Sequence, residues 1–200
     1  MNIAVLGTGV VGQTIAEKLT LLGHDVMLGT RNVSDALART EPDNFGRPPL
    51  QAWSKEHADI KLGTYEEASA FGELIVNATN GAGTLEALEQ AGKNNLSGKV
   101  LVDISNPLDF SKGMPPSLLV CNTDSLGEQI QRAFPEARVV KTLHTMNAYI
   151  MVNPDLLPED HTVFVCGNDA DAKNKTKELL KSFGWKEKNI LDIGDITNAR

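Results

Sequence analysis

The chain has 200 residues, 41% of them hydrophobic, enough to bury a substantial core and to form one or at most two domains. Lys and Arg number 19 against 26 Asp and Glu, a net charge of −7 with no long basic run, so neither nucleic acid nor an anionic membrane surface is an expected partner. The first residues read as a core strand rather than a charged leader, and no run of about 18 apolar residues offers a membrane span, so a cytoplasmic protein is expected.

The apolar run Ile3-Ala4-Val5-Leu6 predicts a strand, and Gly7-Thr8-Gly9-Val10-Val11-Gly12 follows it directly. Behind the glycines, Val11, Ile15, Leu19 and Leu22 recur at helical spacing, with Gln13, Thr14, Glu17 and Lys18 largely on the other side. Gly23 is placed to end that helix. Strand, glycine-rich turn and helix start are what a dinucleotide diphosphate needs. Gly7 permits the tight turn, Gly9 lets the backbone approach the phosphates with no Cβ in the way, and Gly12 lets the helix lie close on the strand. The phosphates then meet free N–H groups at the helix N-terminus.

Asp25-Val26-Met27-Leu28 supplies the second strand and completes a βαβ unit within about thirty residues. At its end an NAD-binding domain usually carries Asp or Glu to grip the ribose 2′-hydroxyl. This chain reads Gly29-Thr30-Arg31-Asn32. A carboxylate there would repel a 2′-phosphate, whereas a hydroxyl and a guanidinium hydrogen-bond it, Arg with two parallel donors. The expected cofactor is therefore NADP(H), with Thr30 and Arg31 on the 2′-phosphate.

The stretch from Glu41 to His57, with Pro42, Pro48 and Pro49, is the longest irregular segment. Asp59-Ile60-Lys61-Leu62 predicts a strand, a helix runs from Thr64 to near Gly72, and Leu74-Ile75-Val76 is the next strand. Thr84 to Leu88 is helical and Lys99 to Asp103 extended. Leu126, Ile130 and Phe134 set a helix from Ser125, followed by the strand Arg138-Val139-Val140-Lys141. From about Pro154 onward come the strand His161 to Cys166, a helix from Ala170 to Phe183 and the strand Ile190 to Ile193. No glycine- or serine-rich linker precedes them. The expected architecture is α/β: a Rossmann-type, doubly wound, mostly parallel sheet with helices on both faces. Residues 1–200 are expected to form one NADP-binding domain, 154–200 extending the same sheet.

Ligands of an open α/β sheet sit beyond the carboxyl ends of the strands. There the chain places Asn77-Ala78-Thr79-Asn80, Ile104-Ser105-Asn106-Pro107 and Thr142-Leu143-His144-Thr145-Met146-Asn147-Ala148. Small and hydrogen-bonding groups of this kind suit a nicotinamide ribose and carboxamide. Asn106-Pro107 serves equally well as a turn after a strand.

These segments carry a family resemblance. Gly7 to Gly12, Gly29-Thr30-Arg31, Asp103-Ile104-Ser105-Asn106-Pro107-Leu108, Lys141 to Ala148 and Gly194-Asp195-Ile196-Thr197-Asn198-Ala199-Arg200, in that order, resemble the NADPH-dependent F420 reductases and their relatives, among them the STEAP-type reductase domains. The resemblance covers nearly the whole chain. It implies hydride transfer between NADPH and the deazaflavin F420, or a flavin in relatives, the protein positioning two rings while the cofactors carry the chemistry. By matching position, Thr8, Gly9, Val10 and Val11 meet the diphosphate, and Ala78, Ile104 and Thr142 lie near the nicotinamide. Direct hydride transfer requires no catalytic acid or base, and none is assigned. Relatives continue past the segment matching Asn198 to Arg200, so a differently closed acceptor pocket is expected.

His144, Asn147 and Ala148 are assigned to that acceptor pocket. A lone histidine after a strand is more often a hydrogen-bonded structural residue than a proton carrier. His24, His57 and His161 have no metal-ligand spacing, so no metal site is expected. Cys121 and Cys166 are read as buried thiols. The expected partners are a small-molecule redox acceptor and a second copy of the chain. Imine reductases and β-hydroxyacid dehydrogenases begin with a similar domain but add a long helical one. A second class stays open, a non-catalytic NADP(H)-binding sensor on the same fold. Turnover of NADPH with an acceptor separates it from an enzyme.

Overall fold

The computed structural model describes residues 1–42 and 46–200. Strand β1 (Asn2–Leu6), helix α1 (Val10–Leu21) and strand β2 (Asp25–Thr30) make the first βαβ unit. Helix α1 ends as its sequence requires. Gly23 takes φ +81°, Gly23 N–H donates to Thr20 and His24 N–H to Leu19, a Schellman closure of the last carbonyls.

Two short helices follow, α2 (Val33–Leu37) and α3 (Leu50–Glu56), then β3 (Lys61–Thr64), α4 (Tyr65–Phe71) and β4 (Leu74–Asn77). Thr64 closes β3 and caps α4, its hydroxyl accepting from Glu67 N–H while the Glu67 carboxylate accepts from Thr64 N–H. Helices α5 (Thr84–Ala91) and α6 (Lys93–Leu96) lead to β5 (Val100–Asp103). A small hairpin, β6 (Leu108–Asp109) with β7 (Ser117–Leu118), precedes α7 (Leu126–Ala133) and β8 (Arg138–Thr142). The chain continues through α8 (Ala148–Val152), β9 (Val163–Gly167), α9 (Ala170–Phe183) and β10 (Ile190–Asp192).

Eight strands form one sheet in the order β10-β9-β8-β5-β4-β1-β2-β3. All neighbours from β3 through β8 are parallel, whereas β9 pairs antiparallel with β8 and β10 runs parallel to β9. The period of two divides each central strand between two cores. Ile3, Val5, Val100 and Val102 face α1, α3, α8 and α9, while Ala4, Leu6 and Leu101 face α4, α5, α6 and α7. Both faces being covered, the strands read as continuous apolar runs.

The irregular stretch from Glu41 to His57 contains α3, and α2 lies just before it. Residues 43–45 within that stretch lie outside the described residues. Helix α3 is anchored to α1, Trp53 Nε1–H donating to Glu17 Oε1 at 2.5 Å and His57 Nε2 lying 3.3 Å from the same oxygen. Strand β2 runs two residues further than its apolar core, into Gly29 and Thr30, and β3 starts two residues later than the apolar pattern indicates. Cys166 is buried and its thiol pushed up to about 11 by that burial, but Cys121 is exposed, contrary to expectation. No described helix is long and apolar enough to cross a membrane.

Candidate functional site

Strand order reverses between β1 and β4, so the connections leaving their carboxyl ends turn to opposite faces and leave a crevice. The three glycines at its edge divide the labour. Gly7 takes φ +112°, and a Cβ there would lie 2.5 Å from the Ala78 carbonyl oxygen. A Cβ on Gly12 would lie 1.8 Å from the Gly7 carbonyl oxygen, so the close approach is of helix to turn. Gly9 is the N-cap of α1, supplies no side-chain cap, and a Cβ there would meet nothing within 4 Å. The first N–H groups of α1 therefore have no intrahelical acceptor and face open space, which fits a diphosphate.

From this edge a cleft of about 340 Å³ runs across the switch point. Gly9, Val10, Val11, Ala78, Thr79, Asn80, Ile104 and Asn106 line it, joining the first glycine turn to the ends of β4 and β5. Its apolar wall is completed by Leu108, Phe110, Met146 and Met151. Leu108 and Met146 lie within segments the sequence marked but were given no role of their own, and Phe110 and Met151 were not marked at all. Leu108 and Phe110 come from a hairpin too short to show a period, and the methionines from the chain beyond β8.

A buried polar network holds the cleft floor in place. Asn77 Nδ2 donates to Asp103 Oδ1 at 2.8 Å, and the Thr79 hydroxyl donates to Asn77 Oδ1 at 2.7 Å and lies 2.8 Å from the Thr84 hydroxyl. Asp103 also receives the Ser105 hydroxyl at 2.7 Å and the Lys141 ammonium at 2.9 Å. Lys141 donates in addition to the Ser105 carbonyl. Asn77, Asp103 and Lys141 stand side by side in register on β4, β5 and β8, each fully or almost fully buried. A polar residue at the end of each apolar run was the sequence signal that could have found this row. Ion pairs at such depth persist when their remaining hydrogen bonds are satisfied, as they are here.

The remaining expected site residues are placed elsewhere. Thr30 is buried at the end of β2, and the exposed Arg31 guanidinium lies 4.0 Å from Glu86 of α5, so neither lines the cleft. Thr142 is buried and its hydroxyl donates to the Phe164 carbonyl of β9 at 2.7 Å, which points it into the sheet rather than at a ligand. Asn147 caps α8, accepting from Tyr149 and Ile150 N–H, and Ala148 is buried beneath it.

His144 also falls outside the cleft. Leu143, at φ +60°, turns the chain sharply after β8 and carries His144 to the far side of Asn106. There it lines a second cavity of about 200 Å³ with Cys121, Asp124, Lys141 and Arg200. Asn106 borders both spaces, its Nδ2 donating to the His144 carbonyl at 2.6 Å. Burial, and then the Lys141 charge, push the imidazole down to about 4, so it is neutral at neutral pH. Its Nδ1 is buried without a hydrogen-bond partner.

A lobe of about 270 Å³ opens beside the glycine turn, lined by Thr8, Gly9, Val10 and Gln13 and by two arginines, Arg39 and Arg47. Nothing in the local pattern of those arginines marked them. Among the described residues no cluster of His, Cys, Asp and Glu is gathered to hold a metal ion.

Comparison with known proteins agrees with this geometry. The family model described as NADP oxidoreductase, coenzyme F420-dependent, matches residues 2–107. The F420-dependent NADP reductase of Methanocaldococcus jannaschii is 28% identical over 202 residues, an alignment covering 100% of this chain and 86% of the relative. Metalloreductase STEAP3 of Rattus norvegicus is 26% identical over 201 residues, and this chain spans 35% of its length. A crystal structure from Arthrobacter sp. FB24, provisionally named an F420-dependent NADP reductase, superposes with a TM-score of 0.93 at 55% identity, covering 100% of this chain and 87% of that one.

Proposed function

From the premise that the chain belongs to the family of coenzyme F420-dependent NADP oxidoreductases, we propose that its switch-point cleft binds NADP(H) and the acceptor ring together. The protein is an NADP(H)-dependent oxidoreductase, and its acceptor is the deazaflavin F420. The observation that carries the reading is the cleft itself. A phosphate turn with an uncapped helix start, a polar strip of Thr79, Asn80 and Asn106, and an apolar wall of Val10, Val11, Ile104, Met146 and Phe110 lie along one continuous space. That is the sequence of chemistries met along a nicotinamide dinucleotide, from diphosphate through ribose to ring.

When both ligands are bound, hydride passes between the two ring systems, and the protein's part is to hold them in near-attack geometry. Gly9, Val10 and Val11 offer backbone N–H groups to the diphosphate. Asn80 and Asn106 would serve the ribose and carboxamide, while Thr79, its hydroxyl tied to Asn77, fixes the floor. Ala78 and Ile104, which line the cleft, would pack against the nicotinamide. Met146, Met151 and Phe110 form an apolar wall that excludes water and accommodates a flat ring. Thr30 and Arg31 are assigned to the 2′-phosphate at the rim. Residues 1–200 act as one NADP-binding unit in this reading, supported by β9 and β10 pairing into the same sheet. A cytoplasmic location and a homodimer belong to the same reading, and cell fractionation and sedimentation test them.

The direct experiment is an anaerobic turnover screen in which NADPH is offered with F420, FMN, FAD and ferric chelates in parallel. Turnover is expected with F420. Tight NADPH binding with no turnover against any acceptor would instead identify a sensor.

A further inference from the structure

The lobe beside the phosphate turn has no role in the assignment above. Its floor is the glycine turn leading into α1, through Thr8, Gly9 and Val10, and it joins the cleft at Gly9, Val10 and Arg47. Gln13 Nε2 donates to the Thr8 carbonyl at 2.9 Å and so holds the floor in shape. Arg39 and Arg47 stand along its other sides, in a chain whose net charge is −7. Each lies in the chain next to a short helix. Ala36 of α2 lines the lobe just before Arg39, and Leu50, the first residue of α3, lines it just after Arg47. Helix α3 is in turn tied to α1 through Trp53, His57 and Glu17.

A dinucleotide diphosphate carries two negative charges, and a helix N-terminus offers only about half a positive charge from one side. A guanidinium pairs with phosphate oxygens through parallel N–H donors and keeps its charge at every working pH. Arg31 faces Glu86 and borders neither the lobe nor the cleft. Resting on the NADP(H) reading of the site, we propose that Arg39 and Arg47 clamp the diphosphate against the start of α1. They set affinity for the dinucleotide without choosing between its phosphorylated and unphosphorylated forms, and that choice stays with Arg31.

The test uses the full chain and a binding titration rather than turnover. NADPH and NADH are titrated separately into wild type, Arg39→Ala, Arg47→Ala and Arg31→Ala. Each clamp variant should weaken NADPH and NADH by the same factor, roughly 10- to 100-fold as expected for a lost charge-assisted hydrogen bond. Arg31→Ala should weaken NADPH alone. Arg39→Lys and Arg47→Lys keep the charge but lose the fork, and should recover part of the affinity. They also serve in place of any alanine variant that melts early. Loss confined to NADPH would show that these arginines read the 2′-phosphate and would overturn the clamp. Unchanged affinity for both nucleotides would overturn it as well, leaving the functional reading intact if wild type binds NADPH. A wild type that binds neither nucleotide would remove both.

Discussion

Gly9 and Gly12 differ by three residues and should fail in opposite ways when a side chain is added. At Gly12 a Cβ would sit 1.8 Å from the Gly7 carbonyl oxygen, so turn and helix would have to separate by roughly 1 Å or more to restore contact distance. Overpacking of this kind costs about 1–3 kcal/mol and occasionally more, and the clash here is with backbone, which cannot rotate away. The better helix propensity of alanine returns only about 1 kcal/mol. At the upper end of that range, Gly12→Ala should therefore lose about 2 kcal/mol net, a fall of roughly 4–8 °C in melting temperature for a domain of this size. At Gly9 a Cβ would meet nothing within 4 Å, so the fold cost of Gly9→Val should be that of a poor N-cap, about 1 kcal/mol. The valine methyls instead fill the space where phosphate oxygens belong, so NADPH affinity should drop at least 100-fold, about 2.7 kcal/mol. Thermal denaturation followed by circular dichroism, with an NADPH titration on the same samples, measures both effects. A Gly9→Val protein that binds NADPH as wild type does, or that melts as early as Gly12→Ala, would refute the division of roles.

Three further outcomes are expected. Arg31→Ala should cost roughly 10- to 100-fold in NADPH affinity and nothing in NADH affinity or stability, because its 4.0 Å approach to Glu86 is exposed on both sides; an equal loss for both nucleotides would show that Arg31 does not read the 2′-phosphate. Lys141→Met strands the Asp103 carboxylate among neutral donors and should destabilise the fold by about 3–5 kcal/mol in urea titrations, whereas a loss under 1 kcal/mol would mean the pair is dispensable. His144 titrates near 4 in the fold against 6.5 when free, so the unfolded chain takes up its proton first as pH falls. Stability owed to this group is intact above pH 6.5 and declines through the window down to pH 4, by about 3 kcal/mol at most. His144→Gln should flatten that part of the stability profile, and an unchanged acid limb would place the sensitivity in another group.

The sequence by itself determined the elements whose signal is local and repeated. Helix α9 has its expected bounds because Asp169 caps its start, Gly184 its end, and Ala172, Thr176, Leu180 and Phe183 recur on one buried face. The glycine turn was legible for the same reason, since Gly7 and Gly12 answer backbone requirements within six residues of chain and Gly9 leaves the helix start open. Helices α2 and α3, of five and seven residues, are too short to establish a period and persist by packing against their neighbours. Tertiary structure alone decided which residues after the strands share a space. Proximity to a strand end gave Thr142, His144 and Met146 the same standing. The pairing of β8 with β9 takes the Thr142 hydroxyl to Phe164, and past the left-handed turn at Leu143 the chain carries His144 behind Asn106 and Met146 into the cleft. Arg39 and Arg47 line a space with Thr8, Gly9 and Val10, more than twenty-five residues away in the chain, a distance in sequence over which no periodicity carries information.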